Sequence, residues 1–328
     1  MQYDVYGMCN ALFDIQAEVQ EETLSELDLA KGSMALITDE QQRKIVSTVY
    51  TSIVNSAPGG SGANTMIGVA QLGGTASFTS RVGPDQHGER YRAGLLSKGV
   101  KPNLGVGAGD TGVSLILITP DAQRTMLTFL GMSRSLQRRD VVVDDLVNSK
   151  FLYVTGYLWD TDTQKDAVLF AMSEANRAGV HVALSLSDPF CVHRHKQDFL
   201  KLLREHVDVV IGNAHEAMAL TETESALDAV RRLGESCRIA AVTMDERGSL
   251  LWADGAERPV APFPVKAVDT TGAGDMYAAG LLYGLTHGLS IDGAGRLASY
   301  MAAQVVAHLG PRLEEVDREA ALAASRPE

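Results

Sequence analysis

Short apolar runs punctuated by polar turns recur along the chain and alternate with longer stretches whose apolar residues repeat at helical spacing. The run Tyr3-Asp4-Val5-Tyr6-Gly7-Met8-Cys9 reads as a buried first strand. A helix is expected over 63–72, stopped by Gly73-Gly74, then a strand over 76–82 and a helix over 89–98 that ends at Gly99. Residues 114–119 and 125–130 read as two strands, with Pro120-Asp121-Ala122-Gln123 as the hairpin turn between them. Further strands over 151–154, 180–185 and 207–211 are separated by helices over 163–178 and near 195–205. Residues 240–250 read as strand, turn, strand, and the apolar run 276–285 is too long for a typical strand, so a buried helix is expected there. The last helix, over 294–309, repeats apolar residues at Leu297, Met301, Val305 and Leu309 and ends at Gly310-Pro311; the tail after Val316 is expected to fray. Strand–helix alternation of this kind argues a central, mostly parallel sheet with helices on both faces.

Composition narrows the picture. A chain of 328 residues with 45% hydrophobic and 21% charged residues is globular, and its length suits one α/β unit or two smaller domains. The net charge of −12 argues against nucleic acid or an anionic membrane as partner. Any anionic substrate then needs a local exception, such as a helix N-terminus with an Arg beside it. Cys9, Cys191 and Cys237 are odd in number and scattered, which points to reduced thiols and a cytoplasmic protein. The opening residues carry Asp4 and Asp14 with no basic stretch, unlike a signal peptide, and no run is long enough to span a membrane.

Candidate chemistry gathers at a few loops. Val268-Asp269-Thr270-Thr271-Gly272-Ala273-Gly274-Asp275 opens directly into the predicted buried helix. Small residues at a helix start leave backbone N–H groups bare, and with the helix dipole they form an anion site. Asp275 sits at the edge of that site, where its carboxylate, ionised at an ordinary pKa of ~3.9, could take a proton from a hydroxyl. The same residues would also serve as a Gly-rich turn with a stabilising Asp. Asn10 and Asp14 follow the first strand, where open parallel sheets collect ligands, though both also favour turns. Gly59-Gly60-Ser61-Gly62-Ala63-Asn64-Thr65 brings adjacent glycines for close approach and, in Asn64, a donor and an acceptor for a ligand. Asn213-Ala214-His215-Glu216 fits a capping box as well as a functional pair. Gly105-Val106-Gly107-Ala108-Gly109 precedes a β-branched strand and is a flexible turn, not a dinucleotide loop. The spacing of Cys191, His193 and His195 is not a zinc pattern, and there is no Gly-x-x-x-x-Gly-Lys-[Ser/Thr] loop.

Asp269–Asp275 resembles the second signature of the PfkB (ribokinase-like) family of small-molecule kinases, and Gly59–Thr65 resembles its first. The likeness runs from Tyr3 to about Gly310, and the opening segment and Ser187-Asp188-Pro189-Phe190 are similar to adenosine kinases in particular. It implies a single ribokinase-like α/β domain over 1–328, with a small β-sheet lid from about 15–38 and 105–132. It also implies transfer of the ATP γ-phosphate, with Mg²⁺, to the primary 5′-hydroxyl of a nucleoside, chiefly adenosine. The alternatives are a sugar kinase of the ribokinase or fructokinase type and, from another class, a non-catalytic ligand-binding protein. On this resemblance Asp275 is the base, the N–H groups of Gly272, Ala273 and Gly274 hold the transferring phosphoryl, and Arg124 closes from the lid. Asn10, Asp14, Gly59, Gly60, Ser61 and Asn64 bind the acceptor, with Phe190 against its purine. Asn213, Glu216, Thr243 and Gly248 belong to ATP and Mg²⁺, while Asp269 and Thr271 match a monovalent-cation site for K⁺. The family's Thr-x-Gly at 243–245 is broken by Asp245, which puts the donor contacts of that loop in doubt. A monomer and a homodimer are both compatible, since an exposed lid edge can pair with a second subunit.

Overall fold

The larger sheet grows outward from the first strand, and the alternation along that strand explains why. The computed structural model describes residues 2–121 and 123–326; of the predicted turn 120–123, Ala122 lies outside the described residues. In chain order the first strands are β1 (Tyr3–Met8), β2 (Leu12–Glu18), β3 (Met34–Leu36), β4 (Ile53–Gly59), β5 (Ala76–Val82), β6 (Val100–Val106) and β7 (Gly112–Ile118). They are followed by β8 (Arg124–Phe129), β9 (Ser149–Thr155), β10 (His181–Ser185), β11 (Val209–Asn213), β12 (Ile239–Thr243), β13 (Ser249–Ala253) and β14 (Ala256–Val260). Nine strands form one sheet in the order β14-β13-β12-β11-β10-β9-β1-β5-β6, parallel from β6 to β12 and antiparallel at β13 and β14. Val5 of β1, with Phe151 and Tyr153 of β9, packs into the core on one face. Tyr6, Met8, Leu152 and Val154 pack into the core on the other. Both faces are covered by helices, so both sets of alternate residues must be apolar.

From β1 the chain winds first to β5 and β6 on one side, then crosses to β9 and continues away on the other. The reversal between β1 and β9 opens a crevice at their carboxyl ends, the place where such sheets bind ligands. On one face, helix Ala273–Thr286 is buried along most of its length and packs on helix Ile291–Val306. At Gly280 a Cβ would lie 2.7 Å from the Cα of Ala298, so the two backbones touch only because the side chain is absent. No described helix is long and apolar enough to cross a membrane.

The second sheet, in the order β3-β8-β7-β2-β4, covers the crevice. It uses both predicted stretches, but β2 begins at Leu12, and β4 joins it from a segment with no strand pattern of its own. Strand β4 is an edge strand with a largely exposed face, so no apolar alternation marks it. Residues Gly105 and Val106, expected in a flexible turn, instead finish β6 at the edge of the large sheet.

Helix boundaries shift for identifiable reasons. The helix expected near 195 begins at Pro189, capped by Asp188 accepting from the Cys191 N–H at 2.7 Å, and its non-helical residue His195 breaks the apolar period. The tail does not fray: helix Arg318–Ala324 is capped by Asp317 and buries Ala321. The preceding helix ends at Val306, which leaves Leu309 outside it and 70% exposed.

Candidate active site

A cavity of about 1090 Å³ lies between the two sheets, at the carboxyl ends of the parallel strands. It slightly exceeds the roughly 300–1,000 Å³ of an ordinary small-molecule pocket. At its centre is Asp275, in the first turn of helix Ala273–Thr286. Both of its oxygens are held from helix Ser61–Gln71: Oδ1 accepts from the Ser61 hydroxyl at 2.5 Å and Oδ2 from Asn64 Nδ2 at 2.8 Å. The two signature loops, more than two hundred residues apart in sequence, therefore meet through one carboxylate. Burial pushes the Asp275 carboxyl up to about 6, although Ser61, Asn64 and the Arg312 guanidinium oppose it. The ordinary carboxylate value expected from sequence is corrected accordingly, because desolvation outweighs the hydrogen bonds.

Asp14 of β2 faces the same space, and burial pushes it up to about 7, with Arg312 lowering it and Asp275 raising it. Gly60 adopts φ 88°, and a Cβ there would meet the Asn10 carbonyl at 2.8 Å. Gly59 does not line the cavity; a Cβ would collide with the Asp14 carboxylate, so this glycine makes room for Asp14. The Asn10 side chain lines the wall but is already engaged, donating to the Tyr157 carbonyl at 3.4 Å and accepting from Gln164 at 2.7 Å. Asn64 Oδ1 is buried with no partner among the described residues, a free acceptor at the cavity wall. Phe190 is 67% exposed at the rim, which rules out core packing for it.

The anion loop differs in detail from expectation. The N–H of Ala273 is turned to the Thr270 carbonyl at 3.3 Å, closing the turn, whereas those of Gly272, Gly274 and Asp275 have no acceptor among the described residues. Gly272 has φ 80°, and its missing side chain leaves room for the Pro311 carbonyl. Arg124, the first residue of β8, meets Asp269 with both terminal nitrogens at 2.7 Å, and Nη1 also meets the Thr271 hydroxyl at 2.6 Å. It is thus bound from the small sheet to the anion loop through a two-pronged ion pair. Burial works against charge on Asp269, but the N–H groups of Thr271 and Gly310, the Thr271 hydroxyl and Arg124 outweigh it and hold the carboxyl below its usual range.

At the other end stand Thr243, Asp245, Glu246 and Gly248, with Pro262, Phe263, Val265 and Val306 as an apolar wall. The Asn213–Glu216 capping box is fully formed, with Glu216 accepting from the Asn213 N–H at 3.0 Å and from Nδ2 at 2.6 Å. Burial raises the Glu216 carboxyl to about 7. Sequence reasoning missed Tyr157, the apolar Met34, Leu36 and Ile116 of the small sheet, and Arg312. Arg312 had no local signal, because it donates to the Pro58 carbonyl across 254 residues of sequence.

A crevice at a strand-order reversal, a helix N-terminus with bare N–H groups and a buried carboxylate beside it make a site able to hold an anion next to a proton acceptor. The profile of the pfkB family carbohydrate kinases matches residues 29–317, and the chain belongs to that family of sugar and nucleoside kinases. A probable sugar kinase from Rhizobium etli CFN 42 superposes with a TM-score of 0.91 at 35% identity, covering 98% of each chain. Adenosine kinase from Sinorhizobium meliloti superposes with a TM-score of 0.89 at 38% identity, covering 99% of this chain and 100% of its own. By sequence, 5-dehydro-2-deoxygluconokinase of Geobacillus thermodenitrificans is 26% identical over 302 residues, covering 88% of each chain.

Proposed function

We propose that the protein transfers the γ-phosphate of ATP to the 5′-hydroxyl of a nucleoside, chiefly adenosine, giving AMP and ADP. The observation that carries the nucleoside is the register of the small sheet. Asp14, Ser114, Thr128 and Leu36 lie side by side across β2, β7, β8 and β3, and all four line the cavity. In the next row Ile116, Met126 and Met34 pair in the same way and also line it. The polar Asp14, Ser114 and Thr128, able to take a ribose diol, beside Leu36 and the apolar row, able to cover a base, suit a nucleoside better than a free sugar. Phe190, free at the rim, supplies an aromatic face for the base.

In this reading Asp275 takes the proton of the hydroxyl as its oxygen bonds to the γ-phosphorus and the bond to the ADP oxygen breaks. The free N–H groups of Gly272, Gly274 and Asp275 receive the charge of the transferring phosphoryl. Arg124 can join them only by leaving Asp269. Among the described residues no group of three His, Cys, Asp or Glu side chains could cage a metal, and the oxygens of Glu216 are taken by Asn213. Mg²⁺, which neutralises phosphate charge, would therefore be held by the nucleotide, with Asn213 and Glu216 able to touch its hydration water. Asp269 does not fit a monovalent cation as it stands, because a guanidinium already neutralises it.

A sugar-kinase reading is favoured by one finding, the sugar-kinase names among the relatives. ATP consumption measured with adenosine, inosine, guanosine, cytidine, ribose and fructose decides between them. Highest kcat/KM with adenosine is expected, and a preference for ribose or fructose would overturn the nucleoside assignment.

A further inference from the structure

Behind the wall of the cavity, Gln164 decides which end of the Asn10 amide can face a ligand. Gln164 sits in the first turn of helix Asp162–Ala178, whose cap residue Thr161 accepts from its N–H at 3.3 Å. Its side chain is fully buried. Nε2 donates to the Ser133 carbonyl at 2.9 Å and to Asn10 Oδ1 at 2.7 Å, while Oε1 lies 3.0 Å from the Thr161 hydroxyl. A backbone carbonyl can only accept, so Ser133 fixes which end of the Gln164 amide points its way. With that amide reversed, Oε1 would face the Ser133 carbonyl, two buried acceptors with no proton between them. The direction is then passed on. Because Gln164 presents a donor to Asn10, Asn10 must answer with Oδ1. Its Nδ2 is left on the side of Tyr157, which lines the cavity and whose carbonyl it reaches only at 3.4 Å. The second Nδ2 hydrogen has no acceptor among the described residues, although Asn10 is just 3% exposed. Ser133 belongs to the turn Gly131–Ser135 that follows β8, so the same contacts tie the exit of the small sheet to the cavity wall.

We propose that Gln164 is a positioning residue of the acceptor site: by holding Asn10 Oδ1 it aims an Asn10 N–H into the cavity, where it donates to the acceptor substrate. The inference rests on the kinase reading for the identity of that substrate. The atom met by the N–H must carry a lone pair, as a sugar oxygen or an unprotonated ring nitrogen of a base does. Asn64 is set the opposite way, with Nδ2 spent on Asp275 and Oδ1 free. The site thus offers one amide as donor and one as acceptor, each oriented by a buried neighbour. An amide fixed before binding spares the ligand the cost of ordering it.

The test compares Gln164→Met, which keeps the length and loses both donors, with Asn10→Ala and with the double variant. Q164M is expected to raise KM for adenosine roughly tenfold, the effect of about one lost hydrogen bond. Its kcat and its KM for ATP should stay within about twofold of the parent, because binding of the acceptor alone is weakened. In the Asn10→Ala background the same substitution should add nothing, since its effect passes through Asn10. Equal losses in both backgrounds, or a rise in KM for ATP as large as that for adenosine, would overturn the proposal. NMR of the Asn10 side-chain amide needs no substrate and separates this inference from the kinase reading. That resonance pair, assigned by its loss in Asn10→Ala, should move in Q164M; an unmoved pair refutes the proposal whatever the enzyme phosphorylates. A moved pair, with no adenosine turnover by the parent, upholds the hold of Gln164 on Asn10 and refutes the nucleoside reading alone. If Q164M does not fold, Asn10→Asp carries the test. Its carboxylate still accepts from Gln164 but has no N–H for the cavity, so KM for adenosine should rise, and an unchanged KM refutes the proposal.

Discussion

Asp275 lies deep in protein beside a helix N-terminus, and that position sets both its charge and its partners. Desolvation dominates, leaving the carboxyl near 6 while two donors fix its orientation. On the proposed reading Asp275 is the base and works only when ionised, so kcat/KM should fall as pH drops through about 6, a limb that a pH–rate profile reads directly. Asp275→Asn keeps the shape and the Ser61 contact but cannot take a proton. It should fold normally, with an unchanged circular dichroism spectrum, and lose about 10²–10⁴-fold in kcat. Asn64 stands between two tasks, since Nδ2 orients Asp275 while Oδ1 remains free for a hydroxyl. Phe190 shows what sequence could not decide at this scale. Its aromatic character fitted core and base-stacking roles equally, and only the exposure at the cavity rim separates them.

Among the elements, the anion loop carries two glycines with different physical roles. Gly272 has a left-handed backbone and abuts the Pro311 carbonyl, so Gly272→Ala should lower the melting temperature as well as activity. Gly274 has an ordinary φ and nothing within 4 Å of where its Cβ would stand. Gly274→Val should therefore melt close to the parent yet lose phosphoryl transfer, because its side chain fills the space beside the free N–H groups. Melting and turnover measured on both variants distinguish a fold requirement from a site requirement. Strands such as β1, β5 and β9 and the long helices Ser61–Gln71, Asp162–Ala178 and Ala273–Thr286 were legible because each presents an apolar pattern of its own period. Strand β4 and the helix Arg318–Ala324 were not: the first is an exposed edge, and the second is a short segment ordered by a cap and by docking of Ala321. Local pattern cannot report a partner that arrives from elsewhere in the chain.

For the molecule as a whole, three carboxyls that resist ionisation work against stability as pH rises. Asp14, Asp275 and Glu216 hold protons to about 7, 6 and 7, above their unfolded values, so the folded state binds more protons than the unfolded state between about pH 4 and 7. Their contribution is then fully present below the unfolded pKa and is lost as pH rises through the folded one. Asp14→Asn should flatten that part of the stability curve and melt higher than the parent at pH 8, measured by calorimetry at fixed ionic strength. Burial of this kind weakens the fold while preparing the site, a trade common where chemistry needs a shifted pKa.

The sequence by itself determined the α/β class, the order of most strands and helices, and both signature loops. It could do so because periodicity, glycine and helix-start chemistry act over a few neighbouring residues. Only the tertiary structure decided what those loops meet. It joined Ser61 and Asn64 to Asp275, and Arg124 to Asp269. It also placed Arg312 beside a strand 254 residues away and raised the carboxyls whose identity the sequence had already shown. Desolvation and long-range charge depend on everything that surrounds a group, and that surrounding exists only once the chain has folded.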